Sequence, residues 1–160
     1  MAQSADNYRQ IEQMAFEIIP EFYAELIPHD HNLFFVQKFQ TVAAIEDQVK
    51  NGYEYYLILS DGVCIGYFAL QFNQEQAEMI LSKLYLLKAF RGNGFGTQTM
   101  DFIVQRMKDR QINGSTLTVN RQNIDTIRWY EKYGYVVTRE LVNRFENGHT
   151  MLDYEMTRKS

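Results

Sequence analysis

Leu84-Tyr85-Leu86-Leu87-Lys88-Ala89-Phe90-Arg91-Gly92-Asn93-Gly94-Phe95-Gly96-Thr97 joins the end of a strand to the start of a helix through a glycine-rich loop. Upstream, the residues from about Ala77 to Leu87 read as a strand. Downstream, Met100, Ile103, Val104 and Met107 recur on one face of a helix that runs to about Gln111 and stops at Asn113-Gly114. Glycines in such a loop permit positive φ and a close approach of backbone to a ligand. The first N–H groups of the helix lack internal partners and carry the positive end of the helix dipole, which suits a diphosphate. The competing reading of the loop alone is a tight strand-to-helix turn with no ligand.

Two commoner phosphate motifs are excluded. A dinucleotide fingerprint needs G-x-G-x-x-G and an acid about twenty residues on, whereas Gly96 comes one residue early and the later segment reads Asn113-Gly114-Ser115. A P-loop needs Gly-Lys-Ser/Thr, and Gly96 is followed by Thr97-Gln98.

Outward from the loop, the N-terminal third is helical, with Ile11, Met14, Ile18, Phe22 and Leu26 at helical spacing and Pro20 expected to kink or divide the element. Pro28 to Asn32 reads as a loop, Leu33 to Phe39 as a short helix, and Thr41 as the N-cap of a helix through about Lys50. The period then changes. Tyr55–Leu59, Val63–Phe72 and about 77–87 form a three-strand meander turning at Ser60-Asp61-Gly62 and at 73–76. Ser115–Val119 is a strand, Asn123–Lys132 a helix closed by Gly134, and Tyr135–Val142 and Thr150–Met156 a hairpin across Glu146-Asn147-Gly148. The expected fold is α/β, a mixed and mostly antiparallel sheet of about six strands with helices on both faces. Residues 1–160 are expected to make one domain.

The 160 residues carry a net charge of −4 with no basic run, which excludes non-specific nucleic-acid binding. A lone cysteine, Cys64, excludes an internal disulfide and suits a reducing compartment as a small core residue. No segment reads as a signal peptide or membrane span, so a cytoplasmic protein without membrane partners is expected. His29-Asp30-His31 is read as a solvated loop lining a pocket, with no metal, since zinc needs three or four converging ligands. Tyr53, Tyr55 and Tyr56 are read as edge packing.

Asn123 and Tyr130 stand seven apart on one helix face, with Ile127 between them. Alone, Tyr130 is an ordinary core aromatic. The order Leu84-Tyr85-Leu86-Leu87, then Phe90 to Gly96, then Asn123 with Trp129-Tyr130-Glu131-Lys132-Tyr133-Gly134-Tyr135, resembles the GCN5-related N-acetyltransferase superfamily. The resemblance is strongest over Leu81 to Tyr135. The family's usual first strand has no evident counterpart before the N-terminal helix.

The resemblance implies an acetyl-CoA-dependent N-acetyltransferase acting by direct transfer on an amine of a small molecule or protein. Backbone amides from Arg91, Gly92, Asn93, Gly94, Phe95, Gly96 and Thr97 would hold the CoA diphosphate. Leu84 and Leu86 would pair with pantetheine, and Asn123 would touch that arm. The Leu86 N–H would polarise the thioester carbonyl, and Tyr130 would protonate the departing thiolate, a phenol near ~10 being roughly matched to an alkyl thiol. Similar enzymes often carry a glutamate where this chain has Ser82. Glu78 lies about 26 Å from Leu86 along an extended strand at ~3.3 Å per residue, too far to act directly. Glu25, Asp30, His31 or a water held by Ser82 remain as sources of a base. A non-catalytic acyl-CoA-binding regulatory module is the alternative, and a longer acyl donor and a homodimer are left open.

Overall fold

The structure, a computed structural model, describes residues 1–146 and 148–159. The chain opens with α1 (Ala5–Phe22), α2 (His29–Phe39) and α3 (Val42–Lys50), followed by the meander β1 (Tyr53–Ser60), β2 (Val63–Asn73) and β3 (Glu78–Leu86). A 3-10 turn (Lys88–Phe90) leads to α4 (Phe95–Asp109), β4 (Gly114–Asn120), α5 (Ile124–Glu131), β5 (Val136–Arg144) and β6 (Thr150–Lys159). One sheet of six strands runs β1-β2-β3-β4-β6-β5, antiparallel at every pairing except β3 with β4. The mixed, mostly antiparallel α/β architecture is therefore the observed one.

Two cores flank the sheet. On one side Met100, Ile103 and Met107 of α4 and Ile127 and Tyr130 of α5 pack on Leu81, Leu117, Val119 and Met156. On the other, Ile11, Met14, Ile18 and Ile19 of α1, Val36 of α2 and Ile45 of α3 cover Tyr55, Tyr67 and Ala69. The sheet period of two sends alternate side chains to alternate cores. Within β3 that alternation is reset. Ala69 pairs with Lys83 while Leu70 pairs with Leu81, so Ser82 is an extra, bulged residue. Met79 and Leu81 face the α4–α5 core. After the bulge Leu84 faces it too, and Tyr85 and Leu87 go to the α1–α3 side.

Three expectations change. Pro20 does not divide α1: it falls two residues before Phe22, the last helical residue, so the helix ends just past it rather than continuing to Leu26. His29-Asp30-His31 is not a loop but the first turn of α2, entered through Pro28, with Asp30 placed favourably for the helix dipole. Cys64 is partly exposed rather than core, with its Sγ 3.7 Å from Met14 Sδ. Thr41 caps α3 as expected, accepting from the Ala44 N–H at 3.3 Å. No strand precedes α1 among the described residues, and Ala2 N–H donates to Tyr55 O at 2.7 Å on the outer edge of β1. Asn147, in the expected β5–β6 turn, lies outside the described residues.

Lys83 is only 7% exposed and has no carboxylate partner among the described residues, its ammonium donating to Gln48 Oε1 and Ser82 Oγ and sitting over the Tyr53 and Tyr55 rings. Burial lowers its pKa to about 8. Between that value and the ordinary lysine range near ~10.4, the unfolded chain holds the proton and the folded chain does not, so stability rises with pH. The penalty is fully present below about pH 8 and corresponds to about 3 kcal/mol at most. Lys83→Met is expected to be more stable than the parent at pH 7, and the gap in melting temperature should narrow between pH 8 and 9.5. A gap that stays constant over that range would refute the assignment.

Candidate active site

The parallel ladder between β3 and β4 ends at Leu81–Leu117, although both strands continue. β4 stays paired with β6 as far as Asn120–Asp153, and β3 stays paired with β2 as far as Leu86. The two strands therefore part beyond Leu81, and the bulge at Ser82 lies at the point of parting. A cleft of about 560 Å³ occupies the opening, lined by Leu84, Leu86, Gly94, Thr118, Asn123 and Tyr130 among others.

The backbone of β3 presents one edge to this opening. Leu87 N–H donates to Ile65 O at 2.9 Å, so by the two-residue alternation of an antiparallel pair Tyr85 and Leu87 point their amides at β2. The amides of Leu84 and Leu86 then face the cleft. Leu86 O is already taken, accepting from Arg91 Nε at 2.9 Å. That guanidinium also binds Glu21 Oε2 at 2.7 Å and lies over the Phe22 ring. Burial raises the Glu21 carboxyl, but hydrogen bonds and charge from Arg91 and Lys88 outweigh it and hold the group below its usual range.

At the mouth of the cleft, Gly92 and Gly94 adopt φ of 77° and 83° and turn the chain into α4. Arg91 departs from expectation, because its amide donates to Lys88 O at 3.2 Å within the 3-10 turn. The amides of Gly92, Asn93, Gly94, Phe95, Gly96 and Thr97 have no partner among the described residues, and Gln98 N–H begins the helical ladder by donating to Gly94 O. Gly96 lies where α4 meets α5: a Cβ there would stand in van der Waals contact with Trp129, 3.4 Å from Cζ2.

Asn123 caps the backbone of α5 and is buried, lining the cleft beside Tyr23. Tyr130 lies on the same helix, 8% exposed, and its hydroxyl has no hydrogen-bond partner among the described residues. Burial chiefly, with Tyr135 and Tyr23 nearby, pushes the phenol well above its ordinary value. It is a weaker acid than a free phenol and stays protonated through neutral and mildly alkaline pH, so the simple match to a thiol holds only once a developing thiolate compensates.

A family model for the acetyltransferase (GNAT) family matches residues 11–135 of this sequence. The chain belongs to the GNAT family. No curated protein sequence matches it. Among solved structures, the PaiA N-acetyltransferase of Thermoplasma acidophilum in complex with coenzyme A superimposes with a TM-score of 0.79 at 18% identity, over 100% of this chain and 97% of that one. A GNAT acetyltransferase of Elizabethkingia anophelis with acetyl-CoA bound gives 0.60 at 18% identity, over 72% and 82%. The ribosomal-protein-S18-alanine N-acetyltransferase of Escherichia coli gives 0.75 at 12% identity, over 99% and 91%. No helix among the described residues is long and apolar enough to cross a membrane.

Against the GNAT frame, several residues of the site had no signal in the sequence. Tyr23, just past α1, and Tyr85 on β3 line the cleft; burial of the Tyr23 hydroxyl and the charge on Asp153 push it up to about 12. Of the candidate bases, Glu25 is exposed beyond α1 and does not line the cleft, whereas Ser82 does. His31 is joined by His149, its ring centroid 3.4 Å away, and one ligand atom from each of Asp30, His31 and His149 falls within 4.8 Å of the others. The fold thus brings His149 to the histidines from which 118 residues of sequence separate it at the nearest.

Gly66 was also missed. It faces Leu86 across β2, and a Cβ there would strike Tyr85 O and stand 2.8 Å from Leu86 Cδ2. Gly66→Ala must displace the strand that carries the Leu86 amide. It is expected to cost about 1–3 kcal/mol and, in refolded protein, to lower thiol release from acetyl-CoA by at least about tenfold, since small misplacements of a reacting group carry large rate penalties. Normal turnover in the variant would show that β3 has room to move.

Proposed function

We propose that this GNAT protein transfers the acetyl group of acetyl-CoA directly to an amine. The observation that carries the reading is the parting of β3 from β4, with unpaired strand amides on one side, unpaired loop amides at the mouth and a buried unpartnered phenol within. The unpartnered amides of Gly92 to Thr97 suit the diphosphate. Those of Leu84 and Leu86 suit the pantetheine arm, which would lie in the opening like an added strand, with Asn123 beside it. The bound thioester supplies the activated acyl carbon.

The residues divide the remaining work. Leu86 N–H is a fixed donor for the carbonyl oxygen, where charge develops as the amine adds. Tyr130 O–H is the proton donor for sulfur. A C–N bond forms and the C–S bond breaks. An amine arriving as an ammonium gives up two protons in all; one replaces the proton spent by Tyr130 and the other leaves to solvent. Because Tyr130 is held protonated by burial, this step does not require low pH.

Tyr130→Phe keeps the ring and removes the proton. Its turnover with an accepted amine is expected to fall by around 10²-fold, while acetyl-CoA still raises the melting temperature as in the parent. Undiminished turnover would remove Tyr130 from the mechanism. Stabilisation by acetyl-CoA with no thiol release across a broad amine panel would instead favour a binding module without catalysis.

A further inference from the structure

A second cavity, of about 450 Å³, lies on the α1–α2 face of the sheet, where β4 and β6 run beyond the point of parting. Tyr23, Ser82, Tyr85 and Thr118 line both cavities, so they meet through the opening between β3 and β4. One part of the second cavity's wall is aromatic and aliphatic, with Phe35 and Phe39 from α2, Ile19 from α1 and Phe145 beyond β5, and the rest is polar, with Asn32, Asn120, Asn143 and Arg144 among it. Phe34 and Phe39 pack edge-on against Phe145, and Lys38 pairs with Glu146 at 2.9 Å, so the β5–β6 hairpin roofs the space.

One carboxylate that is itself buried lines this cavity. Asp153 is 4% exposed, on the face of β6 opposite Tyr154 and Met156. Its Oδ2 accepts from Asn143 Nδ2 at 3.0 Å, and Oδ1 has no donor among the described residues. The Arg121 guanidinium nearby is spent on Asp153 O, Leu141 O and Glu140. Among the described residues the buried atoms without a partner do not include Oδ1, so this oxygen opens onto the cavity, and its natural complement there is a cation that brings several N–H groups. Burial raises the Asp153 carboxyl, opposed by Asn143 and Arg121.

We infer that Asp153 is the anchor for the acceptor: the second cavity takes a small primary amine with an apolar body, holds its ammonium against Asp153 Oδ1 and so directs the nitrogen toward the opening. This rests on the acetyl-transfer reading. A bounded, partly apolar cavity with one buried acid suits a small amine better than an extended peptide, and Arg144 in the lining disfavours a second cationic end. Asp153 is a specificity and positioning residue; the chemistry above needs no proton transfer to it.

The full chain, loaded with CoA, is melted with n-pentylamine, phenethylamine and 1,5-diaminopentane, each beside the alcohol of matching shape. One of the monoamines is expected to stabilise the parent while its alcohol does not, and Asp153→Asn should lose that response while keeping the stabilisation by CoA. With an accepted amine, the variant's KM for amine should rise at least about tenfold, the loss expected for a charged hydrogen bond, with KM for acetyl-CoA unchanged. In a crystal of the parent soaked with phenethylamine the nitrogen should lie within hydrogen-bond distance of Asp153 Oδ1, a measurement that needs no variant to fold. No response to any amine, an equal response in Asp153→Asn, preference for the diamine, or nitrogen bound elsewhere would overturn the inference. Amine binding at Asp153 without thiol release would instead sink the acetyl-transfer reading and leave the anchor standing.

Discussion

The site depends on one discontinuity in backbone pairing. Two parallel strands cannot separate without leaving N–H and C=O groups unpaired, and each such group is expensive unless water or a ligand meets it. This chain places the break at Ser82, where an extra residue shifts β3 by half a pleat while its other edge stays locked to β2. The same shift hands Lys83, Tyr85 and Leu87 to the α1–α3 side, so the opening and the layout of both cores have a single origin. The glycine loop and Tyr130 matter only because the gap stands between them.

Two buried charges show how differently burial is handled across the sheet. Lys83 reaches neutral oxygens and tyrosine faces, and burial lowers its pKa to about 8. Asp153 keeps one donor and has a guanidinium near at hand, yet retains an oxygen with nothing to accept from. The first arrangement is closed on itself. The second is open toward a cavity, which is where a polar ligand has something to offer.

The glycine loop, the helix after it and the Asn123–Tyr130 face were legible because local rules govern them: helical spacing, a dense glycine run and an abrupt change of period. The meander and the parallel unit followed from element order. What escaped was set by non-local pairing. Nothing near Ser82 marks it as a bulge, because a bulge is a mismatch of register between two strands. Gly66 looks like any strand glycine until Leu86 is seen opposite. His149 and Asp30 come together, and Asp153 reaches a cavity walled by α2, only once the hairpin folds back over α2. At Pro20 and Pro28 local rules misled, since a proline's effect depends on how near it falls to a helix end. The reading of Arg91 erred for another reason: a neighbouring 3-10 turn had already claimed its amide.

Arg91 has a consequence for how the molecule transmits force. Its guanidinium bridges the carbonyl of the strand residue whose amide faces the cleft and a carboxylate in the last turn of α1, while its own backbone leads into the glycine loop. The end of β3 and the distant end of α1 are thereby braced against one planar group. The end of α1, the end of β3 and the entry to the glycine loop therefore cannot shift independently without breaking one of these contacts.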